Sequence, residues 1–227
     1  PSKVIALLKD AIVEENEDYI AINKPEGIAS HGGSGISIGV IEAIRNFGKA
    51  YREAKLVHRL DKDTSGCQLI AKNNKFLRHC NRLISERQVQ KTYQAVVHGN
   101  WIHKDGLHEI NIKKNMLIGK ERMVKISEGG KIAKTFFQAI ESSKHFSLVE
   151  CELVTGRTHQ LRVHLSELGF PIVGDNKYGI KESQLVKDSD HKKRMYLHAS
   201  SFISKDLNIY LSIEPPKEFK KILKNDE

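Results

Sequence analysis

Short runs in which apolar and polar residues alternate, joined by brief polar turns, recur along the 227-residue chain. Alternation with a period of two is typical of strands, whereas apolar residues spaced three and four apart predict helices. Neighbouring strands joined by short turns, with helices grouped between them, favour an α+β fold with a mainly antiparallel sheet flanked by helices. Strands are predicted over residues 18–25, 67–71, 91–99, 136–140, 146–154, 196–203 and 207–213, and helices over 37–47, 74–87, 158–168 and 217–223.

Residues that favour the start or the end of a helix set the boundaries of the predicted helices. Ser37 is a candidate N-cap for the helix over 37–47, and Gly169 ends the helix over 158–168. The lysine-rich residues 107–125 carry short alternating runs, which indicates a peripheral hairpin region. Because no internal repeat or Gly/Ser-rich linker interrupts the pattern, a single domain is predicted over residues 1–227.

The composition is that of a globular protein with a polyanionic partner. Lys and Arg number 37 against 28 Asp and Glu, and the resulting net charge of +9 favours nucleic acid over a merely solvated lysine-rich surface. Three widely separated cysteines, Cys67, Cys80 and Cys151, predict neither a disulfide framework nor a zinc knuckle and are typical of the reducing cytosol. No apolar run approaches the ~20 residues that a membrane-spanning helix needs.

Residues 58–66, His-Arg-Leu-Asp-Lys-Asp-Thr-Ser-Gly, place two carboxylates among three basic side chains just before an apolar run. A carboxylate in a cationic, partly apolar pocket can be held ionised, as a nucleophile must be. Asp61 and Asp63 could instead form an acid and base pair or contribute to a metal site. Asp63 precedes Thr64 and Ser65 and is suited to fixing the turn, so Asp61 is the better chemical candidate.

Other candidate sites have simpler structural interpretations. The loop Gly32-Gly33-Ser34-Gly35 lacks the Lys-Ser/Thr ending of a nucleotide-binding loop, so we interpret it as a flexible turn or a loop that touches an RNA backbone. His159 and His164 are five residues apart and point to different sides of one predicted helix, which favours structural histidines over metal ligands. Cys67, at the start of an apolar strand, is interpreted as a buried thiol.

Two basic side chains lie in settings that suggest recognition. Arg162 has apolar neighbours on both sides, so we expect it to be partly buried and to need a carboxylate partner, for which Asp61 is a natural candidate. Lys91 and Tyr93 face the same side of a predicted strand, which suits either cross-strand packing or stacking on a base beside a phosphate.

Taken together, these motifs resemble the RluA family of RNA pseudouridine synthases. Residues 58–66 are similar to the family signature, and the resemblance extends from about Ile12 to Leu223. The glycine loop at 32–35 further resembles the RluC type, which modifies large-subunit ribosomal RNA. The other matching motifs, in chain order, are Lys24-Pro25, Lys91-Thr92-Tyr93, Gly156-Arg157-Thr158-His159-Gln160-Leu161-Arg162-Val163-His164 and Leu197-His198-Ala199.

The resemblance implies isomerisation of specific uridines to pseudouridine in 23S ribosomal RNA, with no cofactor and no metal. Asp61 would start glycosidic cleavage by attacking the sugar, by attacking the ring or by assisting a glycal route. Arg59 is expected to extrude the uridine and occupy its place, and Tyr93 to stack on the flipped base. Arg162 is expected to pair with Asp61 and keep it ionised, and Leu197 to form an apolar wall.

The resemblance also implies that His58 and Lys91 lie beside the substrate in a central RNA-binding cleft of one catalytic domain. The small N-terminal RNA-binding domain common in the family is expected to be absent. We expect a cytoplasmic monomer with RNA as its partner and no membrane association. Two alternatives remain, the same chemistry on transfer RNA or other ribosomal sites, and a non-catalytic RNA-binding module.

Overall fold

A computed structural model describes residues 2–33, 38–102, 104–118, 121–180 and 194–226. They form two units, residues 1–91 with 198–215, and residues 92–197 with 216–227. The single domain predicted over 1–227 therefore stays a prediction. No helix in the described part of the chain is long and apolar enough to cross a membrane.

In chain order the elements are α1 (Ser2–Asp10), β1 (Ile12–Glu15), β2 (Tyr19–Lys24), α2 (Val40–Arg45), a 3-10 turn (Lys49–Tyr51), β3 (Lys55–Leu56), β4 (Ser65–Ala71), α3 (Asn74–Ser85), β5 (Gln90–His98), β6 (Gly106–Ile118), β7 (Glu121–Ile126), β8 (Lys131–Ser142), β9 (Phe146–Leu153), α4 (Gln160–Glu167), β10 (Leu197–Ser204), β11 (Ile209–Ser212) and α5 (Glu218–Lys224).

Strand β4 is central to the first unit. It pairs antiparallel with β2 and β3 and parallel with β10, while β1 extends β2 and β11 extends β10. All seven residues of β4 are buried, and a strand covered on both faces has a nearly continuous apolar sequence. The short apolar run at residues 67–71 is the sequence pattern expected for such a strand. This mixed, mainly antiparallel sheet with flanking helices confirms the predicted α+β class.

The alternation of β2 separates two apolar cores in the first unit. Tyr19 and Ala21 belong to the core that includes the apolar side of α3, whereas Ile20 and Ile22 belong to the core that includes α1 and α2. Helix α3 begins after Asn73, whose side chain accepts a hydrogen bond from the Phe76 N–H (2.9 Å) and caps the helix. Neither α1 nor β1 was predicted.

Helix α2 is shorter than predicted. Its N-cap is Gly39, and Ser37, the predicted N-cap, lies outside the described residues. The Glu42 carboxylate accepts hydrogen bonds from the backbone N–H groups of Gly39 (3.0 Å) and Gly32 (2.9 Å). A carboxylate in the first turn thus satisfies donors at the helix start, a function that the sequence assigned to Ser37.

The second unit is an antiparallel sheet in the strand order β5-β9-β8-β6-β7. The predicted peripheral hairpin is the long pair β6 and β7. Strand β8 is longer than the predicted 136–140 because it pairs with β6 on one side and β9 on the other. Val163 of α4 joins an apolar cluster on this sheet with Ile112, Val124 and Ala133.

Helix α4 begins at Gln160, two residues later than predicted, because His159 adopts the left-handed conformation with φ 53°. Its end agrees with the predicted stop at Gly169, which has φ 85°. His164 packs edge-on against Phe137, with ring centroids 5.1 Å apart, and burial lowers the pKa of His164 to about 4. It is a neutral side chain of the interior, but neither of its ring nitrogens has a hydrogen-bond partner among the described residues, so the hydrogen-bonded histidine expected at this position is not found.

Gly66, the last residue of the 58–66 motif, provides a test of the packing between β4 and β10. It has φ 110°, and a Cβ built there would lie 2.2 Å from the carbonyl oxygen of Ala199. We expect Gly66→Ala to lower the free energy of unfolding by about 3 kcal/mol or more in urea titrations, because steric overlap adds to the left-handed backbone penalty.

Gly169→Ala is the matched control. Its φ of 85° is also left-handed, but no heavy atom of the described residues lies within 4 Å of the added Cβ. Only the backbone penalty of roughly 1 kcal/mol remains. Equal losses in the two variants would show that Ala199 is not what excludes a side chain at Gly66.

Candidate functional site

The turn that carries Asp61 leads into β4 in the first unit. Asp61 is half-buried, and the Thr64 N–H donates to its main-chain carbonyl (3.1 Å) to close the turn. Leu60, just before Asp61, is buried and anchors the segment. The other neighbours of Asp61 are exposed, namely Arg59, Lys62 and Asp63. The turn therefore presents a partly shielded carboxylate among exposed charged side chains.

The fully buried side chain of Lys24 supports this turn from the interior. Its Nζ donates to the carbonyl oxygens of Pro25 (2.8 Å), Ile28 (2.8 Å) and Lys62 (3.0 Å). Burial lowers the pKa of Lys24 to about 7, while nearby carboxylates oppose that shift. An ammonium group has three N–H donors, one for each carbonyl. Three carbonyl acceptors match the protonated form of the side chain, and these bonds tie the end of β2 to the residue after Asp61.

The His58 side chain contacts other residues of the first unit. Its Nε2 accepts a hydrogen bond from the Leu69 N–H (3.1 Å), and its ring stacks on Phe202 with centroids 5.3 Å apart. Burial, followed by the positive charge of Lys91, lowers the pKa of His58 to about 3, so its ring is neutral. These contacts give His58 a structural role, and its contact with substrate stays a prediction.

In the second unit, Arg162 is buried, as predicted, and forms a bidentate ion pair with Asp175. Arg162 Nε lies 2.7 Å from Asp175 Oδ2, and Nη2 lies 2.8 Å from Oδ1. Burial opposes ionisation of Asp175, but the hydrogen bonds and charge of Arg162 outweigh it and hold the pKa of Asp175 below its usual value. The sequence analysis predicted a carboxylate partner for Arg162 but did not identify Asp175.

The turn after Asp175 completes this cluster. Asp175 Oδ1 accepts hydrogen bonds from the N–H groups of Lys177 (2.8 Å) and Tyr178 (3.0 Å), and the Tyr178 ring lies 5.1 Å from the Arg162 guanidinium carbon. The Tyr178 hydroxyl is 2.8 Å from His159 Nδ1, which fixes the left-handed residue at the start of α4. The guanidinium of Arg162 is therefore held from its edge and from its face.

The remaining predicted site residues are buried or half-buried. Tyr93 is buried opposite Cys151 in the β5–β9 pair, and Leu197 is buried at the start of β10, both in the second unit. Lys91 is half-buried, and burial lowers its pKa. The structure thus groups His58, Arg59 and Asp61 on one turn. The pairing of Arg162 with Asp61 and the contacts of Tyr93 and Leu197 with substrate stay predictions.

The thiols are buried, as predicted for Cys67. All three cysteines lie in the interior, and burial raises the pKa values of Cys67 and Cys80 to about 12. Within the described ranges, no group of three or more His, Cys, Asp or Glu side chains is arranged to hold a metal ion.

Known proteins are similar to this chain in both sequence and fold. A family model described as RNA pseudouridylate synthase matches residues 18–167. A Salmonella typhi protein named Ribosomal large subunit pseudouridine synthase C is 40% identical over 225 residues, covering 96% of this chain and 70% of that protein. The Escherichia coli K12 protein of the same name is 42% identical over 199 residues, covering 87% and 62%.

Solved structures give the same result. Human RNA Pseudouridylate Synthase Domain Containing 4 superimposes with a TM-score of 0.79 at 26% identity, covering 96% of this chain and 93% of that one. Human RNA Pseudouridylate Synthase Domain Containing 1 superimposes with a TM-score of 0.75 at 28% identity, covering 94% and 85%.

The fold and the motif-bearing turn are those of an RNA-modifying isomerase. The chain belongs to the RNA pseudouridylate synthase family. The family and the enzyme class predicted from the sequence, an RNA pseudouridine synthase, are thereby confirmed, and so is RNA as the partner. The chain spans 70% of the Salmonella typhi protein and 62% of the Escherichia coli protein.

The buried Arg162–Asp175 pair predicts a large effect on stability. Asp175→Ala leaves the buried guanidinium without this carboxylate, so we expect the free energy of unfolding to fall by about 3–5 kcal/mol in urea titrations. Glu86→Ala, which breaks the exposed pair with Arg82 (3.0 Å), is the control and should lose about 0.5 kcal/mol or less. A loss below about 1 kcal/mol for Asp175→Ala would contradict a structural role for the pair.

Proposed function

We propose that the protein converts specific uridines of large-subunit (23S) ribosomal RNA to pseudouridine, acting as a monomer in the cytoplasm. The observation that carries this proposal is the segment 58–66, which contains the Asp61 turn and leads into β4. It presents a half-buried Asp61 between exposed basic side chains on a support of buried polar contacts. The name of the Salmonella typhi relative supports the ribosomal substrate. The +9 net charge supports a polyanionic partner.

The reaction is an isomerisation, so the composition and the oxidation state of the nucleotide do not change. The bond from C1′ of the ribose to N1 of the base breaks, the base turns, and C1′ bonds to C5. The proton lost from C5 is balanced by one gained at N1. Asp61 starts this sequence by attacking the sugar, by attacking the ring or by removing a sugar proton, and none of these steps requires a cofactor.

Extrusion of the uridine would use the basic and aromatic residues that the motifs carry. Unstacking a base costs a few kcal/mol, and it costs least in loops of RNA. The exposed Arg59 side chain would fill the place of the extruded base. Tyr93 would stack on that base, with Leu197 as an apolar wall, and the cationic Lys91 and the neutral His58 would lie nearby in the cleft.

Arg162 would keep Asp61 ionised. The pair with Asp175 uses Nε and Nη2, and a guanidinium has five N–H donors in a fixed plane, so one Arg can serve two carboxylates. The positive charge of the guanidinium favours the ionised state of Asp61 that a nucleophile requires, whereas the negative charge of Asp175 opposes it.

Two alternatives predict different results. The same chemistry on transfer RNA or another ribosomal site would require the same Asp61. A non-catalytic RNA-binding module would gain nothing from a partly shielded carboxylate, because a carboxylate repels the phosphates of RNA. Membership of an enzyme family also disfavours this alternative.

Mapping pseudouridines in a strain that lacks the gene tests the reaction and the substrate together. We expect specific pseudouridines to disappear from 23S ribosomal RNA and to be restored by the wild-type chain and by Asp63→Asn. Asp61→Asn should not restore them, because an amide is neither a nucleophile nor a base. Asp63 is the matched control, since it is an exposed carboxylate in the same turn.

The purified Asp61→Asn protein should still bind ribosomal RNA within about threefold of the wild-type affinity, since a lost carboxylate removes no contact to phosphate. Restoration by Asp61→Asn would contradict the assignment of this residue. Pseudouridines missing from transfer RNA alone would point to the alternative substrate, and no missing pseudouridine would point to a binding module.

Substitutions of Tyr93 separate stacking from hydroxyl chemistry. A stacked base gains about 1–3 kcal/mol, so Tyr93→Ala should lower kcat/KM by roughly 5- to 150-fold. Tyr93→Phe keeps the ring and should retain at least about a third of kcat/KM, measured by release of tritium from 5-tritiated uridine in RNA. Equal losses in both variants would assign the function to the hydroxyl group, and circular dichroism checks that both are folded.

A further inference from the structure

Ser30 lies in the segment between β2 and α2, outside the 58–66 motif, and its hydroxyl contacts the residue before Asp61. The side chain is 3% exposed. Ser30 Oγ donates to the main-chain carbonyl of Leu60 (2.7 Å) and accepts from the main-chain N–H of Leu60 (3.0 Å). Both main-chain polar groups of Leu60 are therefore held by one hydroxyl.

A third bond fixes that hydroxyl in place. The buried side-chain amide of Gln68, in β4, donates to Ser30 Oγ (2.9 Å) and to the carbonyl of His58 (3.2 Å). A serine hydroxyl has one donor and two acceptor positions, and here all three are used. Ser30 is thereby connected to the most buried strand of the first unit, and the Asp61 turn is connected to that strand through Ser30.

The environment of Leu60 makes these bonds necessary. Leu60 is buried and belongs to no strand, so its N–H and carbonyl need partners from a side chain in place of a sheet ladder. On the other side of Asp61, the carbonyl of Lys62 accepts from Lys24 Nζ. The main chain is thus held on both sides of Asp61 by buried side chains from earlier in the chain.

We propose that Ser30 is a positioning residue for Asp61. This rests on the proposed function, in which Asp61 starts glycosidic cleavage. The hydroxyl fixes the peptide before Asp61 and so sets the direction in which the carboxylate leaves the main chain. Misplacement of a reacting group by about 1 Å can lower a rate by about 100-fold. Ser30 itself is buried under the turn, so its loss should leave contacts with RNA unchanged.

A purely structural serine would show a different pattern, and Ser147 provides the comparison. It is fully buried in the second unit, where its Oγ accepts from the Trp101 N–H (2.8 Å), donates to the carbonyl of Gly99 (2.8 Å) and lies 2.9 Å from the Ser142 hydroxyl. Ser147→Ala removes the same kinds of bond as Ser30→Ala, but none of them touches the Asp61 turn.

The experiment compares Ser30→Ala, Ser30→Thr and Ser147→Ala with the wild-type chain, using 23S ribosomal RNA transcribed in vitro. For Ser30→Ala we expect kcat to fall by about 10- to 100-fold, with the dissociation constant for RNA changed by less than twofold. Ser30→Thr, which keeps the hydroxyl, should recover most of kcat. Ser147→Ala should keep kcat within twofold at a temperature where circular dichroism shows every variant to be folded.

Hydrogen exchange followed by mass spectrometry gives a readout that does not depend on activity. Peptides that contain Leu60 should exchange faster in Ser30→Ala than in the wild-type chain, and they should be unchanged in Ser147→Ala. The proposal is overturned if a folded Ser30→Ala keeps kcat within twofold, if both serine variants lose kcat equally, or if exchange at Leu60 does not change.

Failure of the proposed function has a separate signature. If the wild-type chain forms no pseudouridine in ribosomal or transfer RNA, the proposed function fails and a role for Ser30 in catalysis fails with it. If the wild-type chain is active, Asp61→Asn is inactive and Ser30→Ala is fully active, the function stands and only the role of Ser30 is rejected.

Discussion

The ammonium group of Lys24, enclosed by three backbone carbonyls, is the contact on which the arrangement of the first unit depends. A turn that leaves the sheet to present Asp61 gives up ladder hydrogen bonds, yet it is packed against the core. Buried main-chain polar groups without partners are strongly destabilising. Lys24, at the end of β2, supplies donors to its own following segment and to Lys62. One side chain thereby provides hydrogen-bond donors to main-chain carbonyls of two irregular segments and holds these segments next to each other.

In the second unit, an ion pair stabilises a buried polar group. Arg162 is buried on a short helix, and an unpaired guanidinium there would carry a large desolvation penalty. Asp175 lies in a turn whose own N–H groups bind the carboxylate, so the pair is fixed before any contact with substrate. In both units, the residues assigned to chemistry are supported by buried polar side chains. Rigid support of this kind is what precise positioning of a reacting group needs.

Elements with strong apolar patterns were predicted well, but several of their ends were not. Strand β4 and helix α3 follow from apolar patterns that packing on both sides of the sheet requires. Helix α4 starts late because His159 takes a left-handed conformation that its bond to Tyr178 holds, and Tyr178 is distant in the chain. Helix α1 was missed because all its residues except Leu8 are exposed or half-buried, and its burial of Leu8 depends on a core formed elsewhere.

The sequence by itself determined the class of fold, the family and the segment that carries Asp61. These follow from local patterns and from a motif whose residues are consecutive. Only the tertiary structure decided which side chains support that segment and which carboxylate pairs with Arg162. The partners Ser30, Lys24 and Asp175 are chosen by proximity after packing, and no spacing in the sequence marks a serine hydroxyl as the acceptor for the N–H of Leu60. Local chemistry can be read along the chain, but buried hydrogen-bond partners are assigned by the packing that surrounds them.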